Sequence, residues 1–483
     1  MGVSFNAASL LNGNGIDVKS VVTAVLAPQT APLTQLKNQQ TDLSTQAGLL
    51  SGLNNNLTSL AAAVLALADA HGALASMTAA SSDSTILTAT ADTTAVGGTH
   101  QIVVTNLATT GTVYTDQLTD GNTSFLTSPA TTGDITLQVG GTSGTTHDIV
   151  ITQGSNDTLS TLVSYINNQS WGVTASVVTD SSGARLALHS QSSGVQGALA
   201  ITNNDTALVF NTPTGGTDAS ITIDDVPFSS ATNTVTDAIA GVTLNLASAA
   251  SGSTVQLTVG PDTDQATTAI NNFVDAYNAV MNVINTQFTV DTSTNTQGPL
   301  GSDSALRSLQ SSLLNDATYS ITGTSGTVNL ALLGIDMNND GTLTVNTVNT
   351  DDHPSLANVL ATNPSSVQSF FQNASGTGFA NKFNSDIYNL TDVTDGILNV
   401  DIAGNKNQQT AVAKQITDLQ DRLTAEQTSL TSVFDKVNAT LEAYPALLLE
   451  VTAELNALNG DYSTSSTTST DTTAATGTST SSS

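Results

Sequence analysis

LKNQQTDLSTQAGLLSGLNNNLTSLAAAV, residues 36–64, carries Leu36, Leu43, Leu50, Leu57 and Val64 seven residues apart. Leu53, Leu60 and Leu67 form a second stripe beside the first. Five apolar residues in one heptad register predict a long helix packed on another helix. Gln40, Ala47, Asn54 and Ala61 take the intervening core-type places. The expected seam is therefore partly polar, weaker and more exchangeable than an all-leucine zipper. A helix of an ordinary globular core would show the same stripes, and that alternative stands at this point.

The matching segment lies at the other end of the chain. Over residues 408–458, Val412, Ile416, Leu419, Leu423, Leu430, Val433 and Val437 follow 4-3 spacing, with Glu426 in one core place. The step through Val433, Val437 and Leu441 is a stutter, which locally unwinds a coiled coil. Pro445 follows and is expected to break or kink the helix. Residues 463–483 are almost wholly Ser, Thr, Ala, Gly and Asp and lack the side chains to bury a core.

Between these helices the apolar period changes to two. Residues 99–104, 135–139, 148–151, 173–178, 185–188, 221–223 and 254–259 read as strands, broken by Gly, Asn, Asp and Thr. One short helix, 158–168, interrupts them, with Leu159, Leu162, Val163 and Ile166 on one face and Asp157 as its expected cap. From residue 263 the helical period returns in Ile270, Phe273, Val274, Tyr277, Val280, Met281 and Ile284, followed by shorter helices and a hairpin about Asp340-Gly341. The fold class is α+β: long coiled-coil helices from both termini carry β-rich, sandwich-like head domains.

Composition narrows the functions. Of 483 residues only 10% are charged, and 39 acids against 9 bases give a formal charge of −30. That balance excludes binding to nucleic-acid phosphate or to an anionic membrane face. The absence of cysteine removes disulfides, thiol catalysis and thiolate metal sites together. No apolar run reaches the roughly 18 residues of a membrane helix, so membrane insertion is not expected. Lys19 is the one base before residue 20 and no continuous apolar h-region accompanies it, so no cleaved secretory signal is expected.

These residues resemble, in order, the flagellar filament cap family, hook-associated protein 2. Its helix start resembles Gly15-Ile16-Asp17-Val18, followed by Val21, Val22 and Ala31-Pro32-Leu33. Its first strands resemble Leu87-Thr88-Ala89-Thr90-Ala91 and Ile102-Val103-Val104-Thr105-Asn106-Leu107-Ala108. A module shared with flagellins resembles residues 158–188, ending in Arg185-Leu186-Ala187-Leu188. Ile223-Asp224-Asp225-Val226, the run 233–246 and Phe273-Val274-Asp275-Ala276-Tyr277-Asn278 complete a likeness spanning residues 1 to about 460.

The resemblance implies a structural cap at the distal end of the bacterial flagellar filament, promoting flagellin folding and insertion and preventing monomer loss. It implies an extracellular location at the flagellum tip, a homo-oligomeric ring, commonly of five subunits, and flagellin, hook–filament junction proteins and an export chaperone as partners. Expected domains are a flexible N-terminal arm (1–35), an N-terminal coiled-coil helix (36–84), a head (85–106 and 204–262), an inserted outer head (107–203), a mixed helical part of the stalk (263–405), a C-terminal coiled-coil helix and arm (406–460), and a disordered tail (461–483). The assembly residues are Leu36, Leu43, Leu50, Leu57, Val64, Val412, Ile416, Leu419, Leu423, Leu430 and Val437. Val18, Val21, Val22, Val25 and Leu26 form the expected filament-docking arm, unpaired until a filament groove covers it.

No catalytic, cofactor or metal residues are expected. Asp336-x-Asn338-x-Asp340-Gly341 resembles the start of a calcium loop, but Thr347 stands where the bidentate Glu belongs. The five His are scattered, and Gly140-Gly141-Thr142-Ser143-Gly144 lacks the Lys of a phosphate loop. Trp171 reads as packing against the adjacent sheet rather than as a partner anchor. The alternatives are an extracellular adhesin or surface-layer protein, and a glycan-cleaving enzyme whose paired carboxylates scattered Asp residues would have to supply.

Overall fold

The computed structural model describes residues 17–323, 326–350, 353–372 and 377–459. The chain forms two compact units, Met1–Gly52 with Asn399–Ser483, and Leu53–Leu398. The expected tail, 461–483, and the first sixteen residues of the expected arm lie outside the described residues.

Helix α1 (Val18–Leu26), a short 3-10 turn (Ala27–Thr30) and helix α2 (Ala31–Ala68) open the chain. The expected helix to residue 84 ends sixteen residues earlier, which corrects that boundary. Past Ala68 the Gly72 amide closes a turn on the Asp69 carbonyl (3.0 Å), and Met77–Ser81, β1, satisfies its backbone in a sheet instead. Over Leu53–Leu67 both apolar stripes are buried: Leu53, Leu57, Leu60, Val64 and Leu67. Two buried stripes make this stretch a broad globular-core face, the alternative reading, rather than a narrow seam.

The head follows: β2 (Leu87–Ala91) and β3 (Gly98–Asn106), then an excursion, then the return. The excursion holds β4 (Thr110–Tyr114), β5 (Thr132–Val139), β6 (Thr145–Thr152), α3 (Leu159–Asn167), β7 (Val173–Asp180), β8 (Gly183–Ser193) and β9 (Leu199–Asn204). The return holds β10 (Ala219–Ile223), β11 (Val226–Ser230), β12 (Thr234–Ile239), β13 (Val242–Leu246) and β14 (Val255–Pro261). An antiparallel sheet in the order β1-β14-β3-β10-β11 and a second in the order β12-β13-β2 close on one core, with Leu87, Ile102, Ile221, Leu244 and Leu257 at its centre. Sheets β4-β8-β7 and β6-β5-β9 and helix α3 enclose a separate core of Leu137, Ile151, Leu159, Leu162 and Leu186.

Leu208 is buried in that second core, so the outer head runs past the expected limit of 203. The α3 cap is Thr158, not Asp157: the Thr158 and Thr161 hydroxyls and backbones form a reciprocal capping box. Asp157 instead accepts from the Gly154 amide at 3.0 Å. Between β10 and β11, Asp224 and Asp225 both take positive φ (50° and 65°), the two-residue hairpin turn whose twist matches its strands. Asp224 is held below the usual carboxylate range by the Gln101 amide and then by His100, whose Nδ1 lies 2.7 Å from its Oδ2.

Helices α4 (Thr263–Phe288) and α5 (Ser304–Ala317), short hairpins β15 (Ile321–Gly323) with β16 (Gly326–Val328) and β17 (Ile335–Met337) with β18 (Leu343–Val345), and helices α6 (Leu356–Thr362), α7 (Pro364–Gln372) and α8 (Phe379–Thr391) follow. Their centre is aromatic. Phe379 meets Phe273, Phe370, Phe371 and Phe383 at centroid distances of 5.6, 5.1, 5.4 and 5.3 Å. The calcium-like segment is the β17–β18 hairpin, with Asp340 accepting from the Thr342 amide and hydroxyl and Gly341 at φ 80°. Helix α9 (Ile397–Asn459) closes the described chain; it starts earlier than the expected 406.

Leu162→Ala is expected to lower the stability of the outer head by about 2–5 kcal/mol. Trp171, the single tryptophan, packs against this core and stacks on His147 at 4.7 Å. Its fluorescence transition moves to lower denaturant, while exchange of the β14 amides does not change.

Candidate assembly interface

Helix α1 starts where Asp17 accepts from the Ser20 amide at 3.1 Å. The Ser20 hydroxyl, and then its amide, hold the Asp17 carboxyl below the usual range. Val22 and Leu26 fall one helical turn apart on the inner face and bury against Leu419 and Leu423 of α9. Val18, Leu33, Leu36, Leu430 and Phe434 border that cluster. A second cluster joins Leu43 to Val412 and Ile416, again edged by Leu33 and Leu36. Fully burying one Val or Leu contributes about 1.5–3 kcal/mol.

Side-chain amides interrupt the seam. Gln29 Nε2 donates to Glu426 Oε1 (2.8 Å), Gln409 Nε2 donates to the Leu43 carbonyl (3.1 Å), and Asn405 Nδ2 donates to Gln46 Oε1 (3.3 Å). Partners of rising number on one helix meet partners of falling number on the other, so the pairing is antiparallel. Each of these bonds joins polar groups across the seam.

Several expected positions move. Gln40 is exposed, so the polar interruption falls at Gln29, Gln46, Asn405 and Gln409; Gln29 and Asn405 lie outside the stretches that heptad counting covered. Leu36, Leu43, Val412, Ile416, Leu419, Leu423 and Leu430 are brought together, and Leu50 is buried in the same unit. Leu57 and Val64 belong to the other unit. Val437 is 41% exposed, and the apolar stripe continues uncovered through Leu441, Tyr444, Leu448, Val451 and Leu455.

The arm is corrected likewise. Val21, Val22 and Leu26 are buried within their own chain, Val22 and Leu26 because their spacing presents one apolar edge to Leu419 and Leu423; Val25 faces outward. Pro445 does not end α9. A proline inside a helix removes one backbone hydrogen bond, and the helix-favouring Ala446, Leu447, Leu448 and Leu449 continue beyond it.

Sequence profiles for the N-terminus and C-terminus of flagellar hook-associated protein 2 match residues 14–111 and 216–445, and the flagellin hook IN motif matches 134–192. The B-type flagellar hook-associated protein 2 of Pseudomonas aeruginosa is 28% identical over 441 residues, covering 85% of this chain and 89% of its own. The flagellar hook-associated protein 2 of Escherichia coli K12 is 28% identical over 352 residues, 68% of this chain and 73% of its own. The crystal structure of the D1-D2-D3 domains of the flagellar cap protein FliD from Escherichia coli superposes with a TM-score of 0.57 at 26% identity, covering 74% of this chain and 99% of that one.

Leu423→Ala is expected to cost about 2 kcal/mol, the low end for a buried leucine. Hydrogen exchange over Val18–Leu26 then speeds about 30-fold while the head strands keep their protection. Unchanged exchange in α1 would contradict this packing.

Proposed function

The chain belongs to the flagellar hook-associated protein 2 family, and from that premise we propose how its geometry does the work of a filament cap. The protein caps the distal end of the bacterial flagellar filament, promotes flagellin folding and insertion, and prevents monomer loss. The observation that carries this function is the ordered match to both family profiles, at the two ends of one chain. The adhesin and glycosidase readings have no comparable support.

In the proposed mechanism about five copies form a ring on the growing tip, their β-rich heads forming a plate and their terminal helices reaching the filament. Flagellin arriving from the channel is held beneath the plate and folds into place. No bond is made or broken; the protein works by position and by contacts that can be released and remade. The amide-interrupted seam suits such remaking, since polar places lower the cost of opening one layer. The uncovered stripe Val437–Leu441–Tyr444–Leu448 and the outward Val25 are the proposed filament contacts, in place of the buried Val21, Val22 and Leu26. Hook–filament junction proteins and an export chaperone are the further proposed partners.

A strain lacking this protein is expected to secrete unpolymerised flagellin and swim poorly; normal filaments over a flagellin-free medium would overturn the reading. The charge sets a second expectation. Five copies at −30 each bring together about −150, screened over roughly 10 Å at 0.1 M salt. The ring is expected to gain stability with salt and to dissociate at low ionic strength, as read by sedimentation across a salt series.

A further inference from the structure

Asp316 stands in the last turn of α5, where the helix dipole disfavours negative charge, and its side chain is 4% exposed. Its Oδ1 accepts from Lys382 Nζ of α8 at 3.3 Å, and the same ammonium pairs with Asp386, one turn further along α8. The two carboxyl groups therefore flank a single ammonium. Asp316 Oδ2 is buried and receives no hydrogen bond from any donor among the described residues. Two carboxyl groups thus share one ammonium, and one of their oxygens is buried with no donor among the described residues. A proton on Asp316 Oδ2, donated to Asp386, completes the set.

We propose that Asp316 and Asp386 share this proton beside Lys382 and that it acts as a pH-operated clasp fastening α8 to α5. With the proton in place, one negative charge faces one ammonium and every buried polar atom has a partner. When the proton leaves to solvent, two carboxylates crowd one ammonium and the contact between the helices loosens. Helix α8 also carries Phe379 and Phe383, so loosening reaches the aromatic core.

The surroundings agree. Burial, and then the Asp386 carboxylate, push the Asp316 carboxyl up to about 7. Burial opposes charge on Asp386 as well, yet the Lys382 ammonium and the Asp316 proton outweigh it and hold that carboxyl below the usual range. From α4, the Tyr277 phenol also faces Asp316, and burial pushes its ionisation further up, so it stays neutral. Tyr319, just past α5, places its ring 6.0 Å from Lys382 Nζ.

For Asp316 the folded value lies above the ordinary aspartate value of 3.8, so the folded state binds more protons between about pH 4 and 7. The stability it confers is complete below that window and is lost as pH rises through it. Asp386 has the opposite sign, and its effect lies on the acid side.

The test is hydrogen exchange of α5 and α8 in the full chain between pH 5 and 8, corrected for the intrinsic pH dependence of exchange. Wild-type opening should rise by up to about tenfold per pH unit until about pH 7, the slope of one linked proton. Asp316→Asn, whose amide can donate to Asp386 without titrating, should remove that slope. A variant that keeps the wild-type slope overturns the proposal. Should Asp316→Asn fail to fold, difference infrared spectroscopy of wild type decides: a protonated-carboxyl carbonyl band at pH 6 that bleaches by pH 8 supports the shared proton, and its absence refutes it.

Discussion

Antiparallel pairing of the chain's two ends is the constraint on which the remaining architecture hangs. Once Val22 and Leu26 lie against Leu419 and Leu423, and Leu43 against Val412 and Ile416, everything between them must leave and come back. The same device recurs inside the excursion. Strand β1 pairs with β14, Met77 opposite Pro261, so the head also starts and ends on neighbouring strands. The outer head is closed at its root by Thr109 and Thr217, bonded through backbone and hydroxyls, and by Asn233, whose amide bonds both backbone groups of Ala108.

The charge balance follows from how the turns are made. With nine bases for 39 acids, ion pairing cannot be the main employment of the carboxylates. Asp83, Asp92, Asp291 and Asp340 each accept from a hydroxyl and an amide two residues on, and those bonds hold their carboxyls below the usual range. An ionised Asp in such a turn needs no cation, since backbone N–H groups and water satisfy it. A protein built from many short strands needs many turns, and here Asp supplies them. Asp316 is different, buried and dependent on Lys382, which is why titration there reaches the packing of helices rather than the geometry of one loop.

Period and spacing carried most of the architecture. Two-residue alternation marked the strands of both heads because each sheet has one buried face, and 4-3 spacing marked α2 and α9 because each has an apolar edge. Turn residues located the hairpin at Asp340-Gly341, and the ordered motifs located the family. All of these are local consequences of side-chain period and of backbone preference, which neighbouring residues settle among themselves. Tertiary structure decided the rest. A leucine at a heptad place looks the same whether its partner is α9 or a globular core, so Leu43 and Leu57 were assigned to different units only by what surrounds them. Gln46 and Asn405 are 359 positions apart and have no sequence mark as partners. Val22 and Leu26 read as an unpaired arm until α9 lay across them, and the Asp316–Lys382–Asp386 cluster joins residues whose charges count for little until burial excludes the water that would screen them.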